Sequence, residues 1–293
     1  MISIVIPTYK NVEQLRKNLR HNMPYIGNAE VIVVNDFPDD DLSSLTQEFP
    51  ITLIQNKKNL GFSGAINAGV AQATQRFVLL LNSDVLLHDN TYTNALSHFH
   101  HQQGLFAVSF SQREKNGTIV GRNRLFWRQG LLLHEHNPHN VTGITAWAEG
   151  GSSVIQKTIF EKLGGFDTMF APFYWEDIDL SYRAWKAGYS VLYDSEIQVE
   201  HHHESTISTH FKQEAIKQVA YRNQFLCIWK NITDKTYLRS HYTYLPKHLL
   251  NHTRKGDFAF SKGFFDALHR RAMIHVDTSQ FVRSDHEILA QFS

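Results

Sequence analysis

The chain is short of several things that would have narrowed its function at once. It has a single cysteine, Cys227, which excludes a disulfide framework and any zinc site of the CxxC type. It has no surplus of one charge: 29 Lys+Arg against 28 Asp+Glu leave +1, so bulk charge offers nothing to nucleic acid. No stretch approaches the roughly 20 consecutive apolar residues that span a bilayer. The opening Met1-Ile2-Ser3-Ile4-Val5-Ile6-Pro7 has no basic n-region and no small-residue cleavage site. It reads as a buried strand, and the expectation is a cytoplasmic protein with a reduced thiol. Repeats and low-complexity tracts are missing too.

What is present is an ordinary globular composition, 42% hydrophobic and 19% charged over 293 residues. That length predicts two domains, or one large α/β domain with an appendage. The 18 histidines are the one excess, and imidazoles serve as metal ligands, proton carriers or neither.

Short apolar runs at Ile2–Ile6, Val31–Val34, Ile51–Ile54, Phe77–Leu81 and Phe106–Phe110 read as strands buried on both faces. Helix-period segments separate them, with Val12, Leu15 and Leu19 on one face and Ala65, Ala68, Gly69 and Ala73 on another. Strands alternating with helices predict βαβ units and a parallel sheet. Residues 111–148 read as a less regular excursion carrying Arg122, Arg124, Trp127 and Arg128, either an acceptor-side loop or a solvated one. Strand character returns at Ala146–Ile155 and Ser190–Tyr193, and helix from about Ser205. The expected division is a domain over 1–205 and a helical extension over 206–293 packed on it.

Ligands of such sheets bind beyond the carboxyl ends of the strands, where this chain places polar residues. Asp36 follows Val31–Asn35 and suits either a base or ribose contact or a turn. The first strand is followed by Pro7-Thr8-Tyr9-Lys10-Asn11, not by the G-x-G-x-x-G of a dinucleotide fold. Nor is it followed by the Gly-rich, basic phosphate loop of a nucleotidyltransferase. Asn82-Ser83-Asp84 puts an acid where a hard cation on a phosphate could sit, or where a helix cap could. Trp175-Glu176-Asp177-Ile178-Asp179-Leu180 places three acids at a helix start. There a dipole keeps a general base ionised, or merely favours acids. Asp179 and Arg183 stand at i, i+4. Val199-Glu200-His201-His202-His203 is a metal-ligand candidate or an inert exposed run.

Seven motifs in order across residues 2–206 resemble the inverting nucleotide-sugar glycosyltransferases of family 2, which have the GT-A fold. They are Ile4–Tyr9, Val33–Asp36, Asn59–Asn67, Leu80–Asp84, Gly164–Asp167, Glu176–Leu180 and Val199–His201. The Asn59-x-Gly61-Phe62-x-x-Ala65-x-Asn67 stretch is similar to the bacterial rhamnosyltransferase-like branch. The resemblance implies a Rossmann-like, mostly parallel α/β sheet flanked by helices. It implies that Pro7, Thr8, Tyr9, Asp36, Gly61, Gly64, Asn67, Asn82, Ser83 and Asp84 bind the nucleotide. It implies Asp177 as catalytic base, with Gly150, Gly151, Trp175 and Glu176 near donor and acceptor sugars, and Asp179 bracing the loop with Arg183. A Mn²⁺ or Mg²⁺ ion would be ligated by Asp84 and His201, with His202 in reserve. The family's D-x-D element here lacks its first acid, so the ion is expected to arrive largely with the nucleotide. The donor would be dTDP-rhamnose or a UDP-hexose and the acceptor a glycan or a lipid-linked glycan, with a non-catalytic nucleotide-sugar binding module as the alternative.

Residues 245–275 hold six basic residues against Asp257 and Asp266, and Phe264, Phe265, Leu268 and Ala272 can share a helix face. A membrane-surface helix, a helix packed on its own core and a homodimer contact all satisfy that pattern. The first would put the protein at the inner face of the cell membrane.

Overall fold

The computed structural model describes residues 1–201 and 211–292. The first half alternates as the apolar runs require: β1 (Ile2–Thr8), α1 (Val12–Ile26), β2 (Glu30–Asn35), α2 (Leu45–Glu48), β3 (Thr52–Gln55), α3 (Gly61–Gln72), β4 (Phe77–Leu81), β5 (Val85–Leu87), α4 (Ala95–His101) and β6 (Leu105–Glu114). Short strands follow: β7 (Ile119–Val120), β8 (Asn123–Arg128), β9 (Leu131–His136), β10 (Gly143–Ile144) and β11 (Ser152–Gln156). Then come α5 (Lys157–Lys162), α6 (Glu176–Lys186) and the long β12 (Ser190–His201). The described C-terminal part is helical: α7 (Gln213–Asn231), α8 (Lys235–Arg254), α9 (Phe258–Arg270) and α10 (Asp285–Ala290).

The sheet runs β10-β12-β6-β11-β4-β1-β2-β3. Pairings among β3, β2, β1 and β4 are parallel, as is that of β12 with β6. β11 enters antiparallel between β4 and β6, so the sheet is mostly parallel, as expected. Alternate residues serve opposite cores. Ile4, Ile6, Leu79 and Leu81 pack with Leu15 and Leu19 of α1. Val5, Val78 and Leu80 pack with Ala65, Ile66 and Val70 of α3 in a core that continues into Phe225 and Phe260 of the C-terminal helices. The two sets follow the two-residue period of a strand covered on both sides.

Three readings change. The excursion over 111–148 contains a regular hairpin, β8 with β9. Its two-residue loop, Gln129-Gly130, has φ of 49° and 79°, the left-handed pair that matches the twist of a tight hairpin. A side chain at Gly130 would meet the Ser240 carbonyl at 2.7 Å, so the hairpin tip lies against α8. The run Ala146–Ile155 is strand only from Ser152; the residues before it form a loop at the sheet's carboxyl edge. The run Ile51–Ile54, read as a strand buried on both faces, is the edge strand β3, whose residues are exposed or half-buried.

The C-terminal helices are tied down by a buried charge. Asp285 accepts from Tyr182 Oη at 2.6 Å and from the Thr233 and Asp234 amides at 2.7 Å each. It also faces Lys186 Nζ at 2.7 Å, both side chains fully buried.

Candidate active site

The carboxyl ends of β1, β2 and β4 open into a cleft of about 430 Å³. Pro7, Thr8, Tyr9 and Asp36 line it on the β1–β2 side, with Gly61 beside them. Asp36 Oδ1 accepts from Asn56 Nδ2 at 2.8 Å and from the Leu60 amide at 2.9 Å. Burial pushes its carboxyl up, and those donors oppose the shift. Tyr9 and Phe37 meet edge to face at 5.4 Å, with Lys10 Nζ 4.8 Å from the Phe37 ring. An aromatic and cationic wall thus flanks Asp36.

Asn82, Ser83 and Asp84 line the cleft beyond β4. Two buried asparagines of α1, which sequence reasoning missed, fix this turn. Asn18 Nδ2 donates to the Ser83 carbonyl at 2.7 Å, and Asn22 bridges the Val85 carbonyl and Leu87 amide at 2.9 Å each. Asp84 leads into β5, not into a helix. β5 pairs antiparallel with β12 so that Val85 stands opposite His201, and this register brings Asp84 to His201, 117 residues on in the chain. His201 Nε2 lies 3.3 Å from Asp84 Oδ1, and His201 Nδ1 lies 2.7 Å from Gln112 Oε1. With a cation between His201 and Asp84, donation from Nδ1 to Gln112 would leave the Nε2 lone pair to the metal. Among the described residues no third His, Cys, Asp or Glu joins them. This donor pair fits a divalent cation that completes its shell with phosphate oxygens, not a protein-only cage. His202, the reserve ligand, lies outside the described residues.

The opposite wall carries carboxyl groups. Tyr174 and Trp175 both take left-handed φ, 71° and 76°, costly for bulky residues. The turn they make aims the first residues of α6 into the cleft. Glu176 and Asp177 line it together with Gly150, Gly151 and Glu149. The Asp177 carboxyl accepts from the Ile178 amide at 2.8 Å. Burial raises it to about 6, against backbone donors that lower it. Glu176 and Glu149 are each pushed up to about 8, by burial first and then by the Asp177 charge. Glu176 Oε2 is buried with no hydrogen-bond partner. Glu149 Oε1 accepts from Asn123 Nδ2 at 2.5 Å. Sequence reasoning missed Glu149; the available signal was a lone acid at the end of the apolar Ala146-Trp147-Ala148.

Five of the named residues lie outside the cleft lining. Gly64 is buried in α3, where a Cβ would meet Leu60 Cβ at 2.5 Å. The Asn67 amide grips the Phe166 backbone, donating at 2.7 Å and accepting at 2.9 Å. Trp175 is buried behind its turn, edge-on to His134 at 5.3 Å. Asp179 is fully buried beneath the acids and accepts from Arg183 Nε at 2.9 Å, Lys230 Nζ at 3.0 Å and Asn231 Nδ2 at 2.8 Å. Arg183 also donates to the Leu163 and Gly165 carbonyls. α7 contributes a clamp as well: Asn223 Nδ2 lies 2.6, 2.9 and 2.8 Å from the Phe170, Phe173 and Tyr174 carbonyls.

Residues 3–164 match the profile of glycosyl transferase family 2. The chain belongs to that family. It is similar to the low-salt glycan biosynthesis hexosyltransferase Agl10 of Haloferax volcanii, 27% identical over 256 residues, covering 83% of this chain and 80% of the relative. It is also similar to the poly-β-1,6-N-acetyl-D-glucosamine synthase of Staphylococcus aureus strain COL, 22% identical over 199 residues and 66% of this chain. The chain spans about half the length of that synthase, 48%. Among solved structures it resembles GalNAc-T7 with UDP, GalNAc and Mn²⁺, with a TM-score of 0.64 and 14% identity over 93% of this chain and 57% of the other. The fold of this family 2 member is therefore GT-A, a central mostly parallel sheet flanked by helices with a helical segment after it.

Proposed function

We propose that this chain is an inverting glycosyltransferase that moves a hexose from a nucleoside-diphosphate sugar to a hydroxyl of a glycan or lipid-linked acceptor. One observation carries the reading: a single cleft is lined by Asp36 beyond β2, by the Asp84–His201 pair beyond β4, and by Asp177 beside Gly150 ahead of β11, in the sheet order β2-β1-β4-β11. The order matches what the reaction demands along the substrate, base, diphosphate and then sugar. Asp36 and Tyr9 bind the nucleobase and ribose. Asp84 and His201 would hold a divalent cation, Mn²⁺ suiting the imidazole better than Mg²⁺, which when bound supplies positive charge to the diphosphate oxygens. Asp177 takes the proton of the acceptor hydroxyl. The unpartnered Glu176 Oε2 is satisfied by a hydroxyl of the acceptor or the transferred sugar.

The motif around Gly61 supports dTDP-rhamnose as donor, and UDP-hexoses compete with it. The likenesses to a hexosyltransferase and to an N-acetylglucosamine polymer synthase support a role in glycan synthesis. The division into a transferase domain over 1–205 and an extension over 206–293 belongs to the same proposal. In it the extension is part of the catalytic apparatus through Asn223, Lys230 and Asn231.

A thermal-shift panel of UDP, dTDP and GDP sugars with and without Mn²⁺ tests the reading. A pyrimidine nucleotide should raise the melting temperature and Mn²⁺ should enlarge the shift; no shift with any of them overturns it. Asp177→Asn should lower transfer about 10²–10⁴-fold while donor binding stays within a few-fold. A wild-type chain that binds donor but transfers to no acceptor would make it a binding module.

A further inference from the structure

Of the surfaces outside the cleft, the outer side of α9 differs most from an ordinary solvated helix face. Ala259, Phe260, Gly263 and Ala267 face inward and are buried, and Phe264 is half-buried against Phe225 and Trp229. The opposite arc presents Phe258, Phe265 and Leu268, which are 52%, 54% and 38% exposed. Residues at 258, 262, 265 and 269 follow the i, i+4, i+7, i+11 spacing of one continuous stripe, and Lys262 and His269 occupy it beside the two phenylalanines. The helix thus keeps two apolar faces, of which the protein covers one.

The charges sort in the same way. Both acids between residues 245 and 275 are turned into internal hydrogen bonds. Asp266 accepts from Gln218 Nε2 at 2.6 Å, and Asp257 lies 3.1 Å from Tyr221 Oη and 2.8 Å from His252 Nδ1. Arg270 is likewise used internally, donating to the Met169 carbonyl at 3.0 Å. The exposed charges of this segment are Lys247, Arg254, Lys255, Lys262 and Arg271, without an exposed carboxylate among them. Neither a self-contained helix nor a homodimer needs such a segregation; a two-fold contact would bring these like charges together. Exposed aromatic side chains among cations, with the acids withdrawn, suit a surface that is negative outside and apolar beneath.

We propose that α9 lies on an anionic lipid surface, with Phe258, Phe265 and Leu268 entering the headgroup–acyl boundary and Lys255 and Lys262 facing the lipid phosphates. No helix among the described residues is long and apolar enough to cross a membrane, so the contact is peripheral. It rests on α9 alone and does not depend on the donor reading of the cleft.

The test is co-sedimentation of the full chain with vesicles of phosphatidylcholine containing a quarter phosphatidylglycerol, and with phosphatidylcholine alone. The expected result is binding to the anionic vesicles and at least tenfold weaker binding to the neutral ones. Each cation near such a surface contributes about fivefold to partitioning, so Lys255→Glu with Lys262→Glu should reduce binding more than tenfold. Phe258→Ser with Phe265→Ser should reduce it at equal net charge. All four positions are exposed, so melting temperatures and the UDP-sugar thermal shift should match the wild type. Wild-type protein that stays in the supernatant, or variants that bind like it, overturn the proposal. So does a dimer in light scattering that the double serine variant dissociates. Loss of the nucleotide shift in the wild type would instead remove the donor reading and leave this one standing.

Discussion

Burial acts on three carboxyls of the cleft to different degrees, and the order in which they ionise sets the protonation state of the site. Asp177, at about 6, gives up its proton first; Glu149 and Glu176, at about 8, hold theirs beside its charge. At neutral pH the cleft wall therefore carries one carboxylate and two carboxylic acids. A base needs the ionised form, and a buried acid that donates needs the protonated one. kcat/KM should accordingly rise with pH through about 6 and fall through about 8. Glutamine copies the protonated shape of Glu149 and can still accept from Asn123, so Glu149→Gln should stay within about tenfold of wild type, keep the acid limb and weaken the alkaline fall. Steady-state rates of the two proteins from pH 5 to 9 check this; a loss beyond a hundredfold in Glu149→Gln would make Glu149 itself a proton carrier.

At the scale of elements, α7 is the part that holds the acid-bearing turn in place. Tyr174 and Trp175 keep their left-handed backbone because the carbonyls around them are tied to Asn223, which is itself fully buried. Asn223→Ala leaves those carbonyls without their donor. At about 1–3 kcal/mol for each unmet buried group, the variant, with two carbonyls unmet, should lose about 2–6 kcal/mol of stability in urea unfolding. It should also lose turnover more than donor affinity, since Asp36 and Asp84 stand on other elements. Little of this clamp was legible, because an asparagine in a helical run carries no mark of the loop that it serves. Strands β1, β2, β4 and the first half of β6 were legible because each carries an apolar run buried on both faces, whereas the edge strand β3 is exposed or half-buried along its length. The hairpin over 123–136 was not: of its apolar side chains only Leu125 and Leu132 are fully buried, and its turn lacks the asparagine or aspartate that signals a tight loop. Of the site, the acids at strand ends were legible from position. Gln112, which meets His201 across the β6–β12 pairing, and Asn18 and Asn22, which hold the Asp84 turn from α1, became visible only once distant elements were packed together.

For the whole molecule, most of the histidine excess resolves into structure. His241 donates from Nδ1 to the Gly130 carbonyl at 2.7 Å and accepts at Nε2 from Trp229 at 3.0 Å, a neutral ring joining α8 to the hairpin. Burial lowers the His241 and His134 rings below their usual 6.5. Unfolding lets them take up protons, so their contribution to stability is lost as pH falls through 6.5 and below. The glutamates act in the opposite direction. Glu149 and Glu176 rise from 4.5 in the unfolded chain to about 8 in the fold. The folded state therefore binds more protons between those values, and stability declines as pH rises across them. Between pH 6.5 and 8 the unfolded histidines give up only their remaining half-protons, a small opposing gain, and the effect of the two glutamates dominates. The melting temperature of the ligand-free protein should therefore fall by several degrees over that interval. A variant with both Glu149→Gln and Glu176→Gln has no proton to lose there, and its melting temperature should stay level across the same interval. Calorimetry at 0.5-unit steps distinguishes the two curves, and parallel declines would mean that the cleft acids are not the source.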